Sequence, residues 1–325
     1  MSEPRMSAKR RRRQIQRAVT VRTNPKLIAK RRQRWVQRGA NRTETWLARS
    51  GGSLGPMIPH IAASAVLTGI EDHGWVPQGL AYSPEAKLLL QGYHGDKLGS
   101  ALALIDEPSG ELINAVYLGG PKRNVSGPVD AGGVGVIGDE VFVCREGNPP
   151  RLYRYSLTQI IHAEPLTTVF TVSPLVAMAA GSYLAASKDL LYVGSHANNR
   201  LYKYVRKGDT WQIKTPIGVR TPVGTQGVSV RDEEYVFSVN RGPAKRSQLI
   251  VQDRVTLRRR SLQWLPNLAE GIAEVDDQFF VTYQSGARPH ARGSSSRGQT
   301  WPSTHMTRTP LANLGLAPRK SPRED

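Results

Sequence analysis

The sequence predicts an all-β fold, a β-propeller of five blades preceded by a basic arm, and three observations predict it. A strand–turn–strand element recurs at nearly constant spacing. Glycine and proline are plentiful, with 31 Gly and 22 Pro in a chain that is 39% hydrophobic, which suits many short strands better than long helices. The positive charge is crowded at one end of the chain instead of being spread along it.

The arm comes first. Residues 1–50 hold sixteen Lys and Arg against Glu3 and Glu44, so about +14 of the formal +19 falls there. The cations cluster in Lys9, Arg10, Arg11, Arg12 and Arg13, and again in Lys30, Arg31 and Arg32. Like charges this dense repel one another and little apolar surface offsets them, so a largely disordered or marginally helical segment is expected. These clusters are what a polyanion such as nucleic acid would meet, through salt-sensitive phosphate contacts. The run GGSLGPMIP over residues 51–59 reads as a linker. The chain thus divides into an arm with its linker (1–55), a propeller (56–312) and a disordered tail (313–325).

The repeat follows. A small residue, a short alternating strand, a turn and an apolar-aromatic strand appear in residues 79–93 (GLAYSPEAKLLLQGY), 133–144 (GVGVIGDEVFVC) and 182–193 (SYLAASKDLLYV). They return in residues 227–238 (GVSVRDEEYVFS) and 271–283 (GIAEVDDQFFVTY). The starts lie 54, 49, 45 and 44 residues apart, within the range of four-stranded propeller blades. The first turn of each unit carries residues that favour turns, among them Gly138-Asp139, Lys188-Asp189 and Asp276-Asp277. A third strand follows four of the units, as in RLYRY at 151–155 and RLYKY at 200–204. A sheet with two apolar faces cannot bury both alone, so neighbouring blades must stack around an axis. Residues 305–311 (HMTRTPL) are the expected closing strand, in the first or the last blade. Five blades are counted. Six is the alternative, if residues 59–70 or 166–178 supply more than a connection.

Other features narrow the classes. The single cysteine, Cys144, sits in the apolar run VFVC and reads as a core residue. One thiol forms neither an internal disulfide nor a cysteine zinc site. The apolar run at residues 61–70 is far shorter than the ~20 residues that span a bilayer. With Met1 as the true start a cytoplasmic protein is expected, and a secreted one if the start is misassigned. The glycine-rich run at 132–138 has no helix after it, so it is not a dinucleotide fingerprint. Ser195 and His196 are neighbours on a strand and point apart, and no G-x-S-x-G elbow is present. No catalytic set emerges.

Several segments carry a resemblance: residues 74–79 (GWVPQG), 130–133 (DAGG), 191–194 (LYVG), 265–271 (LPNLAEG), 283–287 (YQSGA) and 304–311 (THMTRTPL). Together they resemble an uncharacterised family of actinobacterial and phage-associated β-propellers. More remotely, they are similar to the six-bladed lactonase, strictosidine-synthase-like and NHL propellers. The resemblance runs from about Trp75 to Leu311 and implies the fold. In lactonase-like enzymes, acidic and amide residues just before the innermost strands ring a divalent metal. The positions here are Gln78, Gly132, Gly181, Gln226 and Glu270, of which only Glu270 is a carboxylate. A hard cation wants several charged oxygens, so this set departs from the enzymes.

Propellers bind at the mouth of the central channel. Loops entering the first strands bring Trp75, Gln78, Gln226 and Glu270 there, and loops leaving the second strands bring His94, Glu146, His196 and Asn240. His94, His196 and Glu146 form the one transition-metal set worth weighing, though no local spacing supports it. The expectation is a non-enzymatic binding module, taking a protein or small-molecule ligand on that face and using the arm as an electrostatic tether. No cofactor is expected. Two alternatives stay open, a metal-dependent lactonase or esterase at the channel mouth and a nucleic-acid-associated protein acting through the arm.

Overall fold

The computed structural model describes residues 75–95, 99–108, 110, 112–121, 127–173, 175–285, 287 and 306–318. The arm, with Lys9–Arg13 and Lys30–Arg32, the linker and the run at 59–70 lie outside the described residues.

The described residues form five sheets, antiparallel apart from one short edge strand. Blade 1 is β1 (Val76–Ser83), β2 (Leu88–Gly95), β3 (Gly99–Asp106) and β4 (Leu112–Leu118). Blade 2 is β5 (Gly133–Ile137), β6 (Glu140–Arg145) and β7 (Arg151–Ser156), followed by the short helix α1 (Leu157–His162). Residues 166–178 then supply two short strands and no blade. The first, β8 (Thr168–Val169), runs parallel to β4 at the edge of blade 1, and the second, β9 (Val176–Ala177), completes blade 2. Blade 3 is β10 (Tyr183–Ser187), β11 (Leu190–Ser195), β12 (Arg200–Lys207) and β13 (Thr210–Ile213), with β14 (Val219–Arg220) against the upper end of β12. Blade 4 is β15 (Thr225–Val230), β16 (Glu234–Val239), β17 (Ser247–Asp253) and β18 (Arg259–Leu265). Blade 5 is β19 (Ala269–Val275), β20 (Gln278–Tyr283) and β21 (Thr307–Pro310). The count is five, and the closing strand belongs to the last blade.

The first strands line the axis. Each of β1, β5, β10, β15 and β19 packs on the next, and β19 packs on β1, which closes the ring. Five apolar clusters fill the five seams between blades, so each blade face is buried by its neighbour as the stacking argument requires. Cys144 lies in the seam between blades 2 and 3, fully buried, and its thiol donates to the Gly181 carbonyl at 3.3 Å. Burial pushes that thiol's pKa far up, which keeps it protonated and inert.

The repeating glycine has a packing reason. A Cβ on Gly133 would stand 2.3 Å from the Leu184 amide nitrogen, and one on Gly271 would stand 2.4 Å from that of Leu80. The inner strands approach too closely there for any side chain. Blade 3 breaks the pattern with Tyr183, and the compensation is Gly194 across the ladder, where a Cβ would collide with the tyrosine ring.

Beyond β21 the chain turns through a 3-10 segment, Leu311–Leu314, and stays packed. Leu311, Leu314 and Leu316 are buried against blades 4 and 5. Ser261 donates to the Leu314 carbonyl at 2.7 Å, and Arg231 reaches the Ala317 carbonyl. Packing therefore continues several residues past 312, because the three leucines cover apolar surface that β21 leaves open.

Candidate ligand face at the channel mouth

The upper face is the end at which the chain enters the inner strands. Three of those strands are irregular there. One extra residue interrupts the ladder between Pro77 and Leu80 in β1, between Thr225 and Gly227 in β15, and between Ala269 and Ile272 in β19. A bulge re-aims the residue it inserts. The residues concerned are Gln78, Gln226 and Glu270, on blades that adjoin one another around the ring. Second-strand side chains hold two of the bulged carbonyls: Gln91 donates to the Gly79 carbonyl at 3.1 Å, and Ser238 donates to that of Glu270.

Glu270 is buried, at 3% exposure. Its Oε1 accepts from the Asn240 amide at 3.0 Å, and the Asn240 oxygen in turn accepts from the Gly242 N–H at 2.8 Å. Loss of water pushes the carboxyl well above the usual carboxylate range, and the Asn240 bond offsets this only in part. Gln78 and Gln226 are half-buried beside it.

On the other side of the mouth the polar groups form a chain across blades 2, 3 and 4. Ser182 donates to Glu146, and the His196 N–H donates to the Ser182 hydroxyl at 2.8 Å. The His196 ring, through Nδ1, stands 3.4 Å from the Thr225 carbonyl. His94 sits at the upper end of β2 with Nδ1 2.8 Å from the Val129 carbonyl. Trp75 is not on the rim. It is buried in the seam between blades 1 and 5, stacked on Tyr117 at 5.9 Å and packed against Gly95.

Two participants escaped the sequence reading. Asp130, in the loop entering β5, is partly buried, and its carboxyl is pushed up by desolvation first and by Glu146 next; His94, the Gly132 amide and Arg145 oppose the shift. Ser182 joins Glu146 to His196. Ser182 stands one residue ahead of β10 and Asp130 three ahead of β5, both in the segments that enter an inner strand, and that placement was the signal available.

The donor set does not fit a metal-bearing ring. Among the described residues no three His, Cys, Asp or Glu side chains gather as ligands. Glu270 is a lone buried carboxyl already engaged by Asn240. His94, Glu146 and His196 each face a different internal partner. Lower in the channel a cavity of about 110 Å³ is lined mainly by small and apolar residues, with Tyr82, Ser187 and Glu274 among them.

Neither a protein-family model nor a curated protein matches the sequence. Solved structures with similar folds include hydrazine synthase of Kuenenia stuttgartiensis, at 12% identity and a TM-score of 0.37 over 65% of this chain and 56% of that one. Glutaminyl cyclase of Myxococcus xanthus is similar at 9% identity and a TM-score of 0.47, over 70% of this chain and 91% of that one. Periplasmic gluconolactonase of Pseudomonas aeruginosa is similar at 13% identity and a TM-score of 0.40, over 63% of this chain and 64% of that one. The chain spans less than two thirds of the first and third of these. The likenesses carry no argument about ligand or activity. The five-bladed fold rests on the chain's own sheets.

Proposed function

We propose that the propeller is a non-catalytic binding module whose upper face receives a protein or small-molecule ligand, with residues 1–50 as a polycationic tether. One observation carries the reading. The polar groups of the upper face are tied to one another across blade boundaries, Glu146 of blade 2 to Ser182 of blade 3 and Asn240 of blade 4 to Glu270 of blade 5, so the fold already engages them. Such cross-blade bonds make a stiff polar surface, which suits recognition.

A hydrolase at the channel mouth is the second reading, favoured by the raised pKa of the Asp130 and Glu270 carboxyls, a property of general acids. Elemental analysis of the purified full chain, with assays on lactones and aryl esters, separates the two. No stoichiometric divalent metal and no turnover are expected. Metal and turnover that both vanish in Glu270→Gln would replace the first reading by the second.

A further inference from the structure

The two faces of the propeller differ in charge. The lower turns between first and second strands carry Glu85, Asp139, Asp189, Asp232, Glu233, Asp276 and Asp277 against Lys87, Lys188 and Arg231. The upper loops of blades 3 and 4, residues 196–200, 214–224 and 240–247, carry Arg200, Lys214, Arg220, Arg241, Lys245 and Arg246 and no carboxylate at all. On the lower face three arginines are engaged by carboxylates, Arg206 by Glu140, Arg231 by Glu274 and Arg260 by Asp253 and Glu234, while Arg254 donates to the Arg231 and Asp232 carbonyls. At the upper corner two of them are held by neutral acceptors. Arg200 donates to the Gly218 carbonyl at 3.4 Å, and Arg241 donates to the Gln248 side chain at 3.2 Å.

The loops that carry these cations are linked by backbone bonds. Arg200 and Arg220 sit opposite each other where β12 pairs with β14. The Thr221 N–H donates to the Asn199 carbonyl at 3.0 Å, and the Asn240 N–H donates to the Gly224 carbonyl at 2.8 Å, so the blade 3 loops run into the blade 4 loop. Gln248, which holds Arg241, lies across the ladder from Trp264. That tryptophan is 42% exposed, and the Arg246 guanidinium lies over its ring at 5.4 Å. Ile217 and Val223, in the loop between blades 3 and 4, are 79% and 64% exposed.

We propose that this corner, from Arg200 and Arg220 to Trp264, binds single-stranded nucleic acid. A row of cations tracks a phosphate backbone, while an exposed indole offers a base a stacking surface regardless of sequence. A duplex keeps its bases stacked on one another and has none to lend Trp264, and a purely anionic chain such as heparin would use the cations and ignore the ring. The proposal deepens the binding-module reading and rests on it.

The test uses the full chain and three probes: a labelled oligo-dT of about twenty nucleotides, the matching duplex, and heparin. Since the arm also attracts anions, the location is read directly, by photocrosslinking an oligonucleotide that carries 5-iodouracil and mapping the adducts. Adducts on the peptides bearing Lys245 or Trp264 are expected. Trp264→Ala should weaken oligo-dT binding about tenfold and leave heparin binding unchanged, with Trp264→Phe restoring most of the loss. The triple change Arg220→Gln, Arg241→Gln, Lys245→Gln should lower the salt slope for oligo-dT by about 2, at ~0.7 per single-strand phosphate contact. A thermal melt of each variant checks that the fold is kept. Adducts confined to residues 1–50, or equal effects of Trp264→Ala on oligo-dT and heparin, would overturn the proposal. Either result leaves the binding-module reading standing, whereas metal-dependent turnover would remove that reading without any change at this corner.

Discussion

A carboxyl that has lost its water, as that of Glu270 has, holds its proton to higher pH than one in the unfolded chain. Above the unfolded value of about 4.3, the unfolded state releases a proton that the native state still binds. Stability then falls as pH rises, until the raised native pKa is passed. Glu270→Gln keeps the acceptor for the Asn240 amide and removes the titration. By calorimetry the variant should melt with the wild type near pH 4 and several degrees above it at neutral pH and beyond. An offset of the same size at every pH would exclude titration as the cause. The burial itself was not legible in the sequence, where Glu270 looks like any loop carboxylate ahead of a strand. It is imposed by the bulge in β19 and by Asn240 from the neighbouring blade.

At the scale of the element, the inner strand explains why glycine recurs. Gly133 lies against the backbone of the next inner strand, which cannot retreat without opening the ring. Gly138, five residues later, sits in the turn with φ +54° and nothing near its missing Cβ. Gly133→Ala should therefore destabilise by about 3 kcal/mol through overpacking. Gly138→Ala should cost about 1 kcal/mol through its left-handed backbone alone. Urea unfolding of both variants checks the ranking, and equal losses would mean that the close approach is not what selects glycine at 133. The sequence showed the period of these glycines but not which kind each was, because a turn and a tight inter-strand contact both call for the same residue.

For the molecule as a whole, stability rests on seams between blades, and the last of them depends on the end of the chain. β21 pairs with β20, and the leucines beyond it cover the seam between blades 4 and 5. Arg231 ties the same segment to blade 4 while its guanidinium meets the buried Glu274 carboxylate. Deleting residues 306–318 should bare one edge of β20 and uncover this apolar surface. Loss of a cooperative thermal transition, with aggregation, is expected by light scattering and circular dichroism. A monomeric truncate melting as the wild type does would show that the ring closes without its third strand in blade 5. Within the described residues, no helix is long and apolar enough to cross a membrane.

The sequence by itself determined what repeats locally: five strand–turn–strand units, their turns, the apolar placement of Cys144, and the crowding of charge before residue 51. Alternation along a strand and the residues of a tight turn are short-range constraints, readable within a dozen positions. Tertiary structure decided whatever depends on two blades at once. The run at 166–178 reads as connection, yet one of its strands crosses back to pair with β4 of blade 1. Trp75 reads as a rim residue and is buried in the seam where blade 5 meets blade 1. Asn240 and Glu270 come from blades 4 and 5, and their hydrogen bond exists only once those two blades are docked. Ring closure sets Gly271 against Leu80, far apart along the chain, and no local pattern encodes a contact that exists only after every other blade is in place.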